Sequence, residues 1–266
     1  MAARQRTAKH TARRKERREL AAQRAFARGA MYRLLSQALV YPTVEAVRAL
    51  RETDLPSALA LAPVLDDELP VLVEQLAQRF ESKRLLTLQK AHRRVFPHVE
   101  SGDCPSHETA YTGQNIFQET QDLSDLAGFF RAFGLELAER ERPDHISVEL
   151  EFMYVLTYKE GYALLHHGGE NARLCRIVQR KFMDDHLGRW TPRFAELLSR
   201  NAKGGHLGAA AALVRAFLDH ELALLRARPE AVSARPVREA PDPDEFVCPL
   251  AQDCPASEPG IQDAPS

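Results

Sequence analysis

The stretch Asp144-His145-Ile146-Ser147-Val148-Glu149-Leu150-Glu151-Phe152-Met153-Tyr154-Val155-Leu156-Thr157 decides the fold. Ile146, Leu150, Met153 and Thr157 recur at three- and four-residue spacing, and Phe152, Val155, Leu156 and Tyr162 broaden the stripe. That is the period of a helix burying one face. Asp144 is a good N-cap, and Glu149 and Glu151 place negative charge in the first two turns. Gly168-Gly169 stops the helix.

The same period continues on both sides. Phe26, Ala30, Leu34, Leu35, Ala38 and Leu39 share a face before Tyr41-Pro42 ends their helix. Thr43 caps a short helix over 44–51, and Leu69, Leu72, Val73, Leu76 and Phe80 mark another after Asp66-Asp67-Glu68. Leu85 to Val95 and Leu123 to Phe133 follow. Beyond Gly169, Leu174, Ile177, Val178, Phe182 and Leu187 predict an inward stripe, then Trp190, Phe194, Leu197 and Leu198, then Leu207 to Leu225. No window alternates with period two. The expectation is an all-α protein: one helical bundle domain of about nine helices over residues 26–226. Residues 97–113, with Pro97, Gly102, Pro105 and Gly113, form an unusually long loop, a feature that is usually functional or mobile. Residues 138–143 form a second.

The 266 residues carry 36 Lys and Arg against 37 Asp and Glu. That balance hides a strong polarity. Residues 1–28 hold ten Lys or Arg against Glu16 and Glu19, while residues 229–266 hold eight acids, two Arg and eight of the 16 prolines. Residues 1–25 therefore read as a basic arm and helix start, and 227–266 as a disordered, proline-rich acidic tail that cannot build a packed element. Arg13-Arg14 is followed by charged residues where an export signal needs an apolar stretch, so the pair is not read as a twin-arginine signal. No run of 18 uncharged apolar residues occurs, which excludes a helical membrane span. Cys104, Cys175, Cys248 and Cys254 are too few for a disulfide framework and fit a reducing, cytoplasmic setting.

Familiar catalytic motifs are absent. There is no phosphate loop, no dinucleotide fingerprint and no nucleophile elbow. Cys248 and Cys254 match no zinc or cluster spacing. His145 and Glu149, four apart, share a helix face and can begin a metal site, with His107 and Glu108 as partners approaching from the long loop. The alternative is a capped helix whose His and Glu make structural hydrogen bonds.

Arg142-Pro143-Asp144-His145 followed by Glu149-Leu150 resembles the E-P-x-D-H-x-x-x-E-L signature of the TorD/DmsD/NarJ chaperones, with Pro143 directly against Asp144. Pro105-Ser106-His107-Glu108-Thr109-Ala110-Tyr111 is similar to the family's tyrosine-rich second motif, through Glu108 and Tyr111. Tyr32 to Leu39 with Tyr41-Pro42, and Phe129-Phe130-Arg131-Ala132-Phe133-Gly134-Leu135, resemble two further family segments. The resemblance spans residues 26–226 and omits both ends of the chain.

It implies a cytoplasmic chaperone, not an enzyme, that needs no cofactor of its own. Its partner would be the apo catalytic subunit of a molybdenum-cofactor oxidoreductase, that enzyme's twin-arginine signal peptide, or both. The chaperone would assist cofactor insertion and delay export. A homodimer formed by domain swapping through the long loop is also implied. Asp144, His145 and Glu149 are carried over as the client-binding residues, with Tyr111 and Glu108 beside them. Acids next to an apolar groove suit a peptide with a cationic start and an apolar helix. Two rival readings remain open: a helical metal-dependent enzyme using His145 and Glu149, and a helical protein binding nucleic acid or another polyanion through residues 1–28.

Overall fold

The computed structural model describes residues 2–81, 83–97, 103–113, 116–137 and 142–232. Most of the expected tail, with Cys248 and Cys254, lies outside the described residues, as do 98–102 and 138–141 within the two expected loops.

The described chain is helical. In order come α1 (Ala2–Leu39), α2 (Val44–Ala49), α3 (Leu55–Leu61), α4 (Leu69–Glu81), α5 (Leu85–Val95), α6 (Thr109–Thr112), α7 (Ile116–Ala132), α8 (Ile146–His166), α9 (Gly169–Phe182), α10 (Gly188–Ala202) and α11 (Gly205–Leu225). Among the described residues there is no strand, only an isolated antiparallel bridge between His107 and His145. No described helix is long and apolar enough to cross a membrane. The expected helical bundle is thus observed. The stretch expected as a basic arm and helix start is helical from Ala2 onward.

Helices α1 and α8 form the central antiparallel pair. Small residues let the two backbones approach: Gly29 faces Thr157, and a Cβ on Gly161 would sit 2.8 Å from the Phe26 ring. Helix α11 lies on the other side of α1, with Tyr32 edge-on to Phe217 at 4.7 Å. Helices α4 and α10 close over α11. Where α7, α8 and α9 meet, Phe130, Phe152 and Phe182 cluster, with centroids 4.8 to 4.9 Å apart on either side of Phe152.

A buried polar network holds the middle of the bundle. Arg28 donates to both carboxylate oxygens of Glu221 at 2.7 Å, to Glu160 at 2.9 Å and to Gln179 at 2.5 Å. Tyr32 donates to Glu221, and Gln179 to Glu160. Every arm of the guanidinium is used, which is what makes a buried charge tolerable. The network also corrects the expected face of α9. Its buried residues are Ala172, Cys175, Gln179 and Phe182, while Leu174 and Ile177 are 56% and 54% exposed. The inward face follows the polar partner Gln179 rather than the largest apolar residues.

Helices α9 and α10 are joined by a π-turn, Met183–Leu187. Gly188 is required there, because a Cβ would lie 2.5 Å from the Met183 carbonyl oxygen. Such wide turns occur frequently at functional sites.

A buried carboxylate cluster at the start of helix eight

The two motif segments meet. Glu108 N–H donates to the Asp144 carbonyl at 2.9 Å, and Ile146 N–H donates to the Ser106 carbonyl at 2.9 Å. These bonds stitch the loop carrying α6 to the residues that open α8. The His107 and His145 rings meet edge to face at 5.1 Å.

Asp144 is not the N-cap of α8. His145 caps it, its Nδ1 accepting from Ser147 N–H at 3.2 Å and lying 2.7 Å from Ser147 Oγ. The Asp144 carboxylate is occupied elsewhere. It accepts from Thr109 Oγ1 at 2.7 Å and takes a two-pronged contact from Arg142 at 3.0 and 2.9 Å. Burial pushes its pKa up, but the Arg142 and Thr109 hydrogen bonds prevail and hold it below the ordinary range. Burial, helped by His107, lowers His145 to about 4, so its ring is neutral near pH 7.

Glu149 is wholly enclosed. One carboxyl oxygen accepts from Trp190 Nε1 at 3.2 Å, and the other has no hydrogen-bond partner. Burial first, then the charges of Glu108 and Asp144, push its pKa well above the usual value. The protonated form of Glu149 is thus favoured relative to an ordinary carboxylate. Glu108, also fully buried, faces His186 Nδ1 at 3.1 Å, and His186 Nε2 reaches Asp125 at 3.1 Å. Burial raises Glu108, and the His186 contacts pull it partly back. His186 is held above its ordinary pKa because its two carboxylate contacts outweigh desolvation. Tyr111 donates to the Pro105 carbonyl at 2.7 Å, with its ring 5.1 Å from Trp190.

The structure thus brings all five expected residues into one neighbourhood. It does not turn their carboxylates outward: Glu108, Asp144 and Glu149 are each 0% exposed. His145 and Glu149 do not converge, since one bonds Ser147 and the other Trp190. Among the described residues no group of three or more His, Cys, Asp or Glu side chains is placed to hold a metal ion. The sequence reading did not place His186, Trp190, Arg142 or Thr109 in the site, although Trp190 stood in an inward stripe and Arg142 and Thr109 within the quoted motifs.

Comparisons with known proteins identify the family. A family model described as the nitrate reductase delta subunit matches residues 61–196. The chain belongs to that family, in line with its resemblance to the TorD/DmsD/NarJ group. It is 36% identical over 103 residues to the selenate reductase assembly chaperone protein of Thauera selenatis, a match covering 37% of this chain and 52% of that one. It is 31% identical over 171 residues to the chlorate reductase assembly chaperone protein of Ideonella dechloratans, covering 63% and 74%. It is 28% identical over 175 residues to the perchlorate reductase assembly chaperone protein of Dechloromonas aromatica, covering 64% and 76%. The chain therefore spans about half the length of the first relative and about three quarters of the other two.

Proposed function

We infer that this chain is an assembly chaperone for the catalytic subunit of a molybdenum-cofactor oxidoreductase. It works by binding in the cytoplasm, not by catalysis, and favours cofactor insertion before any export of the client. Family membership and the names of the relatives support this reading.

One observation supports the site: the loop bearing α6, with Glu108 and Thr109 on it, packs against Asp144 and is tied to the start of α8 by a small set of hydrogen bonds. Closed, the cluster is satisfied except at Glu149. Lifting the loop, which carries Glu108 and Tyr111 with it, would uncover Asp144 and Glu149 beside the Trp190 ring. That surface fits a cationic segment followed by an apolar one, such as a twin-arginine signal peptide or an unfinished edge of the catalytic subunit. Client binding then competes with loop closure, and completion of the client removes the segment.

The test is made in the source organism. Deleting the chain should leave the oxidoreductase subunit present but lacking molybdenum, measured by elemental analysis of the purified enzyme. The parent chain should restore the metal, and an Asp144→Ala/Glu108→Ala chain should not. Full molybdenum occupancy without the chain would refute the role. Restoration by the double variant would refute the site alone.

A further inference from the structure

The N-terminal part of α1 runs out of the bundle. Arg18 fastens it to the body, donating through Nε and a terminal nitrogen to the Leu164 carbonyl. Arg13, Arg14, Lys15 and Arg17 are exposed. Residues 2–24 carry nine Lys or Arg against Glu16 and Glu19. Arg13 with Arg17 and Arg14 with Arg18 are like-charge pairs at four-residue spacing, which destabilise a helix. The Lys15–Glu19 pair, at 3.8 Å and exposed, offsets little. The side chains of this stretch are chiefly charged residues, Ala and Thr, so it lacks the apolar face a membrane-surface helix needs. A helix like this is stabilised by a polyanion.

The chain supplies one. Residues 233–266 hold seven acids against Arg235 and Arg238. Helix α11 runs antiparallel to α1, with Glu221 on Arg28 and Phe217 on Tyr32. Its C-terminal end therefore reaches α1 where the exposed stretch begins. The chain then continues to Val232, whose N–H donates to the Arg189 carbonyl at 3.2 Å. From there the remaining residues span up to about 110 Å when extended, at ~3.3 Å each. The basic stretch is only about 35 Å long, at ~1.5 Å per residue.

We propose that the acidic segment 233–266 lies along the basic N-terminal stretch of α1 within the same chain and acts as a built-in competitor that keeps nucleic acids and other polyanions off it. Tethering gives the segment an effective concentration on the order of millimolar, above that of most free competitors. The contact is electrostatic and weakens with salt.

Zero-length carbodiimide cross-linking of the full chain tests this, using an equal mixture of isotopically light and heavy protein. At about 20 mM NaCl, links from Lys9 or Lys15 to carboxylates of 233–266 are expected within single chains, falling at least about fivefold at about 500 mM. Links absent, or only between chains, would overturn the proposal. A chain ending at Val232 should bind a short labelled single-stranded DNA at least about tenfold more tightly than the full chain at low salt. An Arg13→Gln/Arg14→Gln/Arg17→Gln variant of it should lose that gain. Equal affinity of the full and shortened chains would show that the segment does not compete.

Discussion

Replacing Glu149 by Gln is expected to stabilise the protein near neutral pH and not in mild acid. In the fold the carboxyl is enclosed, one oxygen has no partner, and burial with Glu108 and Asp144 drives its pKa well above the ordinary 4.5. The unfolded chain has the ordinary value. Between the two values folding takes up a proton, so stability falls as pH rises from about 4.5. Each pH unit is worth about 1.4 kcal/mol while the folded carboxyl stays protonated. Near pH 7 this cost is at most a few kcal/mol. Gln has no proton to take up and keeps an acceptor for Trp190, but buries an extra donor pair at about 1–2 kcal/mol. The expected net gain is about 1–2 kcal/mol near pH 7, shrinking to nothing or reversing near pH 4.5. Urea unfolding of both proteins across that range measures it. A variant no more stable than the parent at neutral pH, with a gap that does not change with pH, would mean that Glu149 is an ionised and satisfied carboxylate.

The other buried features give sharp expectations. Glu221→Ala strips Arg28 of its two-pronged partner, leaving Glu160 as its one buried counter-charge, and should cost about 3–5 kcal/mol in urea unfolding. Thr109→Val keeps the shape but removes the donor to Asp144, costing about 1–3 kcal/mol and speeding amide hydrogen exchange over 106–112 more than elsewhere. Gly161→Ala drives a methyl into the Phe26 ring and should lower stability by about 1–3 kcal/mol, read by calorimetry. Asp144, held low by Arg142 and Thr109, contributes stability above the ordinary value of 3.8 that is lost as pH falls through its folded value. Asp144→Asn should therefore flatten the acid limb of the unfolding curve.

Local patterns were readable in the sequence because they are local. The stripe Ile146, Leu150, Met153 and Thr157 is buried as its spacing requires, and Tyr41-Pro42 follows the end of α1. What failed depends on distant partners. Asp144 has the side chain of a good cap, yet Arg142 and Thr109 claim it, and the cap passes to His145. Arg28 reads as one more charge in a basic run, and nothing near it foretells Glu160, Gln179 and Glu221. Leu174 and Ile177 have helical spacing but face outward, because Gln179 is needed inside. The site residues were named through family resemblance, and their burial was not legible at all. Charge on a carboxylate is a property of its enclosure, and enclosure here comes from α7, α8, α10 and the loop together.

The most direct measurement is capture on the tagged full chain from its source organism, followed by hydrogen exchange on the recovered complex. The account predicts a large oxidoreductase catalytic subunit, lacking its cofactor, at equal stoichiometry. It also predicts altered protection confined to 103–113, the start of α8 and the π-turn around His186. Recovery of the finished, cofactor-loaded enzyme, or of the apo subunit with exchange at this cluster unchanged, would contradict it.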